Sequence, residues 1–400
     1  EAGGDAEVAL WHGIALARAG RLDAARETLA GLRDDTKVGA RASIGVARIA
    51  LLERDFATAV TLLDALGAAG EGEADYWEVR ALALLELGQP GAAAQAFSRG
   101  GQVVRDAAGM QRLVFRAGEI EALLAGGELE AARERASSLL QDLPQHPVAN
   151  FLMSRVELQA GDAAQALAYA QAVLAAQPNS SPGHMMAGAA NLAMGQAAPA
   201  ERHLSQAVDL DPANLPARKL LAQVRLGQQS PERALEALEP VIADSRDPAV
   251  IAMAGMASVR AGDPDAAVEI YRRQLAAQPE NDDLRAMLAV SLVAAGRTEE
   301  ALAELGAISD GDEGTRQRTE LIAIAAELEG GDIDAARARA GALADTAPED
   351  PALRNVLGGL FLAAERPDEA TFWFEDSLRL APGDAAATFH LGRIDAPTRR

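Results

Sequence analysis

Between Ala149 and Pro182 the apolar residues form a helical run, break at Gly161-Asp162, form a second run, and stop at Pro178. A glycine just past the last apolar residue is a helix stop, and a proline beyond the next run is another. The stretch therefore predicts a helix, a tight turn and a second helix. The same layout recurs from end to end, with turns centred on Gly20, Arg54, Gly88, Gly127, Gly161, Gly195, Gln229, Gly262, Gly296, Gly331 and Glu365. Successive intervals are 34, 34, 39, 34, 34, 34, 33, 34, 35 and 34 residues.

Side-chain size follows the same ruler. Alanine stands five residues after every turn, at Ala25, Ala59, Ala93, Ala132, Ala166, Ala200, Ala234, Ala267, Ala301, Ala336 and Ala370. At that point the second helix crosses the first, and a methyl lets the backbones approach. A second small site lies seven residues before the turn, with Ile120 and Ile324 as exceptions. Nine residues after the turn comes a core filler such as Leu29, Leu63, Phe97, Leu204, Tyr271 or Phe374. Prolines seventeen residues after the turn, including Pro144, Pro178, Pro212, Pro279, Pro348 and Pro382, separate one unit from the next, because proline cannot continue the helical hydrogen bonding.

This pattern of small residue, Ala, Leu or aromatic, then Pro over 34 residues resembles the tetratricopeptide repeat. Trp77 stands at that family's tryptophan position, and Leu357-Gly358 and Leu391-Gly392 match its Leu-Gly pair. The resemblance implies an all-α, right-handed α-solenoid of about eleven helix–turn–helix repeats. It forms a single array over residues 1–400, with a capping helix at 384–394. The 39-residue interval predicts a lengthened Arg99–Gly109 connection, and Ser309–Gly314 reads as an acidic loop. The start at Glu1 reads as a cut end, while the lone last helix and polar tail Ala396–Arg400 read as a natural one.

The composition is 49% hydrophobic but only 4% aromatic, so the core is built from Ala and Leu, both strong helix formers. Acids outnumber bases, 59 to 37, for a net charge of -22. Such a surface repels phosphate backbones and argues against nucleic acid as a partner. The absence of cysteine excludes disulfides and thiolate chemistry. The longest stretch without charged residues, Ala163–Ala200, is broken by Pro178, Asn179, Ser180, Ser181, Pro182 and Gly183, so no transmembrane segment is expected.

Catalytic signatures are missing. There is no GxxxxGK[ST], HExxH or GxSxG, and Gly126-Gly127 and Gly330-Gly331 read as turn glycines. The histidines His12, His146, His184, His203 and His390 read as scattered over separate repeats, with no paired-ligand spacing. Asp310-Gly311-Asp312-Glu313 lacks the alternating oxygen ligands of a calcium loop and reads as solvated. No enzyme activity, metal or cofactor is expected.

What remains is the concave groove, lined by first helices at thirteen, ten, six, three and two residues before each turn. The middle repeats place Val148, Phe151, Arg155, Leu158 and Gln159 there. Next come Pro182, Met185, Ala189, Leu192 and Ala193, and then Pro216, Lys219, Gln223, Leu226 and Gly227. Met256, Val259 and Arg260 follow. An apolar strip with isolated basic groups suits an extended peptide or partner helix, with Phe151, Arg155, Met185, Lys219, Met256 and Arg260 as anchors. The side chains that clamp a chaperone's C-terminal carboxylate in some tetratricopeptide domains are replaced by Phe151, Met185 and Ala252.

From Pro182 onward the wording is more particular. The run Pro216–Ala222, then Arg233–Pro240, Pro348–Gly358 and Phe389–Asp395, resembles the tetratricopeptide lipoprotein of the exosortase/PEP-CTERM sorting system of Gram-negative bacteria. That resemblance implies a periplasmic protein, lipid-anchored in its full-length form, that scaffolds envelope exopolysaccharide machinery. The alternatives are a cytoplasmic adaptor or regulator, or the repeat part of a larger enzyme such as a glycosyltransferase.

Overall fold

The protein's structure, a computed structural model, describes residues 2–104, 109–243, 245–308 and 312–395. Among these residues lie twenty-four helices and no strand, in two compact units, residues 1–217 and 218–400. The first unit holds α1 (Ala2–Arg18), α2 (Leu22–Ala30), α3 (Gly39–Leu52), α4 (Phe56–Leu66), α5 (Ala68–Glu71), α6 (Ala74–Glu86) and α7 (Pro90–Val103). It continues with α8 (Gly109–Ala125), α9 (Leu129–Asp142), α10 (Pro147–Gln159), α11 (Ala163–Ala176), α12 (Ser181–Ala193) and α13 (Ala197–Leu210). The division falls within α14 (Leu215–Gly227). The second unit holds α15 (Pro231–Ile242), α16 (Pro248–Arg260), α17 (Pro264–Ala277), α18 (Asp282–Ala294) and α19 (Thr298–Gly306). It ends with α20 (Glu313–Glu329), α21 (Ile333–Thr346), α22 (Pro351–Ala363), α23 (Pro367–Leu380) and α24 (Ala385–Asp395). Within each unit the helices pair into hairpins, and each hairpin packs on the next, which is the construction of an α-solenoid.

The turn between paired helices has a simple physical origin. All eleven turn positions lie in the left-handed region, with φ from 58° at Gln229 and Glu365 to 84° at Gly161. The Gly161 N–H donates to the Leu158 carbonyl (3.1 Å) and the Asp162 N–H to that of Glu157 (2.9 Å), closing the first helix. Asp162 then caps the second, its carboxylate accepting from the Gln165 N–H at 3.0 Å. Asp55, Asp263 and Asp332 cap in the same way. Arg54, Gln229 and Glu365 hold the left-handed conformation with a Cβ, a strain of roughly 1 kcal/mol. Replacing each by glycine is expected to raise the unfolding free energy measured in urea by up to about 1 kcal/mol per site, and Gly161→Ala to lower it by a similar amount.

The eleven alanines after the turns are all 0% exposed. The neighbouring pair of sites, seven before and nine after the turn, behaves as one shared volume. A Cβ on Gly13, Gly188 or Gly358 would lie 2.6, 2.5 or 2.8 Å from the side chain of Leu29, Leu204 or Phe374. The two exceptions reverse the order. Ile120 faces the repeat whose later site is Ala136, and Ile324 the one with Ala340, and all four are 0% exposed. Except in the α10–α11 hairpin, where the two sites are Ser154 and Ala170, one large side chain per hairpin fills the space, from either helix, because a close-packed interior constrains volume more than identity.

A second regularity ties hairpin to hairpin. Eleven residues before the turn, at the position of Trp77, a side chain donates to the backbone carbonyl six residues earlier. Trp77 reaches Glu71, Asn150 reaches Pro144, His184 reaches Pro178, Arg285 reaches Pro279 and Arg354 reaches Pro348, at 2.6–3.3 Å. Proline and its neighbours leave carbonyls without helical partners in these connections, and any side-chain donor of suitable length serves.

The irregular intervals resolve differently from expectation. The helix α8 has 17 residues where α10 has 13, while α7 and α9 both have 14. Most of the extra length after Gly88 thus adds a helical turn rather than lengthening the connection; residues 105–108 lie outside the described residues. Similarly, α20 starts inside the expected acidic loop. Asp312 caps it by accepting from the Thr315 N–H at 2.8 Å, and residues 309–311 and the tail 396–400 fall outside the described residues. At the end of the second unit, α24 covers Phe374, whose ring stacks on His390 at 4.9 Å. Its N-terminus is held by Asp384, which accepts from the Ala386 and Ala387 N–H groups and from Asn355 and Ser377. Those bonds, led by the Ala387 amide, hold the Asp384 carboxyl below the usual range.

Candidate functional site

In the second unit the first helices α16, α18 and α20 frame an open cleft of about 380 Å³. Its walls are Ala252, Met256 and Val259 from α16, Ala286, Met287 and Val290 from α18, and Ile322 from α20. Each helix is aligned by a cap of its own: Asp247, Asn281 and Asp312. Met256 and Val290 occupy the same place, six residues before their turns, and remain 42% and 47% exposed. Arg260 stands exposed at the rim and makes no ion pair among the described residues, whereas Arg318 at the other side is 3.6 Å from Asp283. The cleft therefore offers desolvatable apolar area beside one uncommitted cation.

The other sequence-selected positions are in different states. Phe151 and Met185 are half-buried and pack against the cluster of Ala170, Met186 and Ala187. Arg155 is not isolated: its guanidinium pairs with Glu121, the residue at the equivalent place one repeat earlier. Lys219 is likewise held, 2.9 Å from Asp247. In the first unit Arg41 meets Glu7, and Arg48 meets Asp75 and Glu78, so charge on its first helices is spent between neighbours. Of the six proposed anchors, Met256 and Arg260 meet in one cleft. Val290, Met287 and Ile322 were missed, although Val290 repeats the Met256 offset one unit later.

The histidines also differ from expectation. His184 and His203 belong to one hairpin, with their Nδ1 atoms 3.1 Å apart. Because the His184 Nε2–H donates to the Pro178 carbonyl, its Nδ1 is left to accept from His203. Burial, then the neighbouring His184, push the His203 imidazole down, which favours this neutral pair. Among the described residues no group of three or more His, Cys, Asp or Glu could hold a metal ion, and no helix is long and apolar enough to cross a membrane.

Residues 123–189, 191–256 and 258–323 match one tetratricopeptide repeat family, and residues 10–73 and 325–394 match a second of the same description. Together these ranges span most of the chain. The chain belongs to the tetratricopeptide repeat family. A search of curated proteins finds no match. Among solved structures, the chain is similar to the APC/C hetero-tetramer Cut9-Hcn1, at 14% identity over 95% of this chain and 94% of that one, with a TM-score of 0.37. It is also similar to YrrB, described as a TPR protein with an unusual peptide-binding site, at 13% identity over 55% and 96% of the two chains, TM-score 0.32. A human IFIT1 dimer with m7Gppp-AAAA matches at 16% identity over 88% and 92%, TM-score 0.41.

In this tetratricopeptide repeat the cleft has an unusual floor. The shared-volume site that elsewhere holds Leu, Phe or Ala is Tyr271, lying over Gly255, where a Cβ would come within 2.1 Å of its hydroxyl oxygen. The hydroxyl reaches the Ala252 carbonyl at 3.4 Å, and burial pushes the phenol up to about 12. The neutral phenol is favoured in the fold, so its stabilisation is complete below pH ~10 and is lost as pH rises from about 10 towards 12. Thermal melts of wild type should therefore fall more steeply than those of Tyr271→Phe across that window, by about 2–3 kcal/mol at its upper end.

Proposed function

We propose that this tetratricopeptide repeat protein is a non-catalytic scaffold that captures a partner protein in the α16–α18–α20 cleft. The carrying observation is the coincidence of exposed Met256 and Val290 with Arg260, which has no ion pair among the described residues. That chemistry fits a peptide or helix that inserts an apolar side chain and presents a carboxylate to the guanidinium. Each hairpin touches only its neighbours, so further modest contacts along the first helices add by avidity when the ligand spans several.

Cross-linking in cells expressing the full-length native protein supplies the partner. Met256→Glu together with Arg260→Glu should then weaken capture by about tenfold or more, with an unchanged circular-dichroism melt. Equal capture by the double variant puts the partner elsewhere.

The particular wording of Pro216–Ala222, Pro348–Gly358 and Phe389–Asp395 supports placing this scaffold in an exported exopolysaccharide or PEP-CTERM sorting assembly, periplasmic and lipid-anchored in its full-length form. Fractionation tests this separately. Lipid labelling and protease access only after the outer membrane is opened support it. Recovery as soluble cytosolic protein overturns it and leaves the cytoplasmic-adaptor reading.

A further inference from the structure

We propose that the second unit carries another docking site, on the opposite helices of its hairpins, for a cationic amphipathic helix of a partner protein. The site is the cleft of about 1020 Å³ between the second helices α21 and α23. Its apolar surface is formed by Gly341, Ala344, Trp373, Leu380 and Phe372. Phe372 is 60% exposed and meets Trp373 edge-on at 5.0 Å. A groove between parallel rows of side chains is the form that accepts the apolar face of a helix.

Charge decides the occupant. All three guanidinium groups in the cleft are paired, Arg337 with Asp334 and Glu369, and Arg354 and Arg379 with the shared Asp376, so three carboxylates balance three cations in total. Asp345 and Asp368 stand exposed at the rim with no ion pair among the described residues. The unspent charge is therefore negative on both walls, and it complements lysine or arginine flanking an apolar stripe.

Two sequence choices that disfavour the local helix face this same cleft. Gly341 sits inside α21, where glycine is the poorest helix former after proline, yet a Cβ there would meet nothing within 4 Å. No packing contact demands that glycine; its effect is to leave the floor open. Asp345 lies in the last turn of α21, the negative end of the helix dipole, where a carboxylate is repelled. Local rules broken together at one place are what a functional or strained site is expected to show.

The test uses the full chain and a fluorescein-labelled designed helix with a leucine face and a lysine face. Its counterpart keeps the leucine face and replaces lysine by glutamate. The lysine helix should bind and the glutamate helix should not. Gly341→Leu fills the floor without changing the net charge of -22, and should weaken binding at least tenfold while its circular-dichroism spectrum matches wild type. Asp345→Asn with Asp368→Asn should weaken it similarly and flatten its salt dependence. Met256→Glu with Arg260→Glu should leave it unchanged, which separates this site from the first-helix cleft. Undiminished binding to Gly341→Leu, or equal binding of the glutamate helix, overturns the proposal. So does loss of binding only in the Met256→Glu, Arg260→Glu variant.

Discussion

Gly188→Ile is expected to destabilise the α12–α13 hairpin by about 1–3 kcal/mol, and Leu204→Ala by about 2–5 kcal/mol, yet the two together should cost much less than their sum. A Cβ at residue 188 would lie 2.5 Å from Leu204, and both residues are interior. Ile with Ala is the arrangement that the chain itself uses at Ile120 with Ala136 and at Ile324 with Ala340. Removing the leucine vacates the space the isoleucine needs, so the coupling should be at least about 1–2 kcal/mol. Hydrogen-exchange protection of α12 and α13 reads the effect locally, where a global melt of a repeat array would blur it. Strict additivity would show that the two sites do not share one volume.

Arg339→Met should cost a comparable amount for an electrostatic reason. The Arg339 guanidinium donates to Glu327 and Glu320, both at 2.8 Å, and Glu327 is only 5% exposed. One Glu327 oxygen, Oε2, already has no hydrogen-bond partner. The two glutamates hold the Arg339 guanidinium above its usual range, Glu327 most of all. Removing the guanidinium strands a buried carboxylate, at about 3–5 kcal/mol. Arg339→Met combined with Glu327→Leu removes both charges and should return to within about 1 kcal/mol of wild type. The readout is protection of α20 and α21 amides, and failure of the second substitution to rescue would assign the loss to packing of the arginine stem instead.

The architecture was legible because it rests on local rules repeated many times. Glycine at eight turns and alanine at all eleven crossings recorded backbone conformation and interhelical distance directly. Even Arg54, Gln229 and Glu365 were found, since their neighbours kept the period. The candidate site was legible only in part. Met256 and Arg260 came from the groove offsets, but Arg155 and Phe151 came from the same offsets and are engaged inside the array. The staple eleven residues before the turn was visible only at Trp77, because Asn150, His184, Arg285 and Arg354 share a donor hydrogen rather than a residue type.

By itself, then, the sequence determined the repeat, its helices and turns, and the family. Those depend on backbone sterics and side-chain size within some thirty-four consecutive residues. Tertiary structure alone decided which groups remain available to a partner. Arg155 reaches Glu121 and Arg318 reaches Asp283 from about one repeat away, while Arg260 reaches no carboxylate among the described residues. Whether a charge is spent or free depends on the rotamers and register of stacked hairpins, and an offset within one repeat carries no record of what the next one places opposite it.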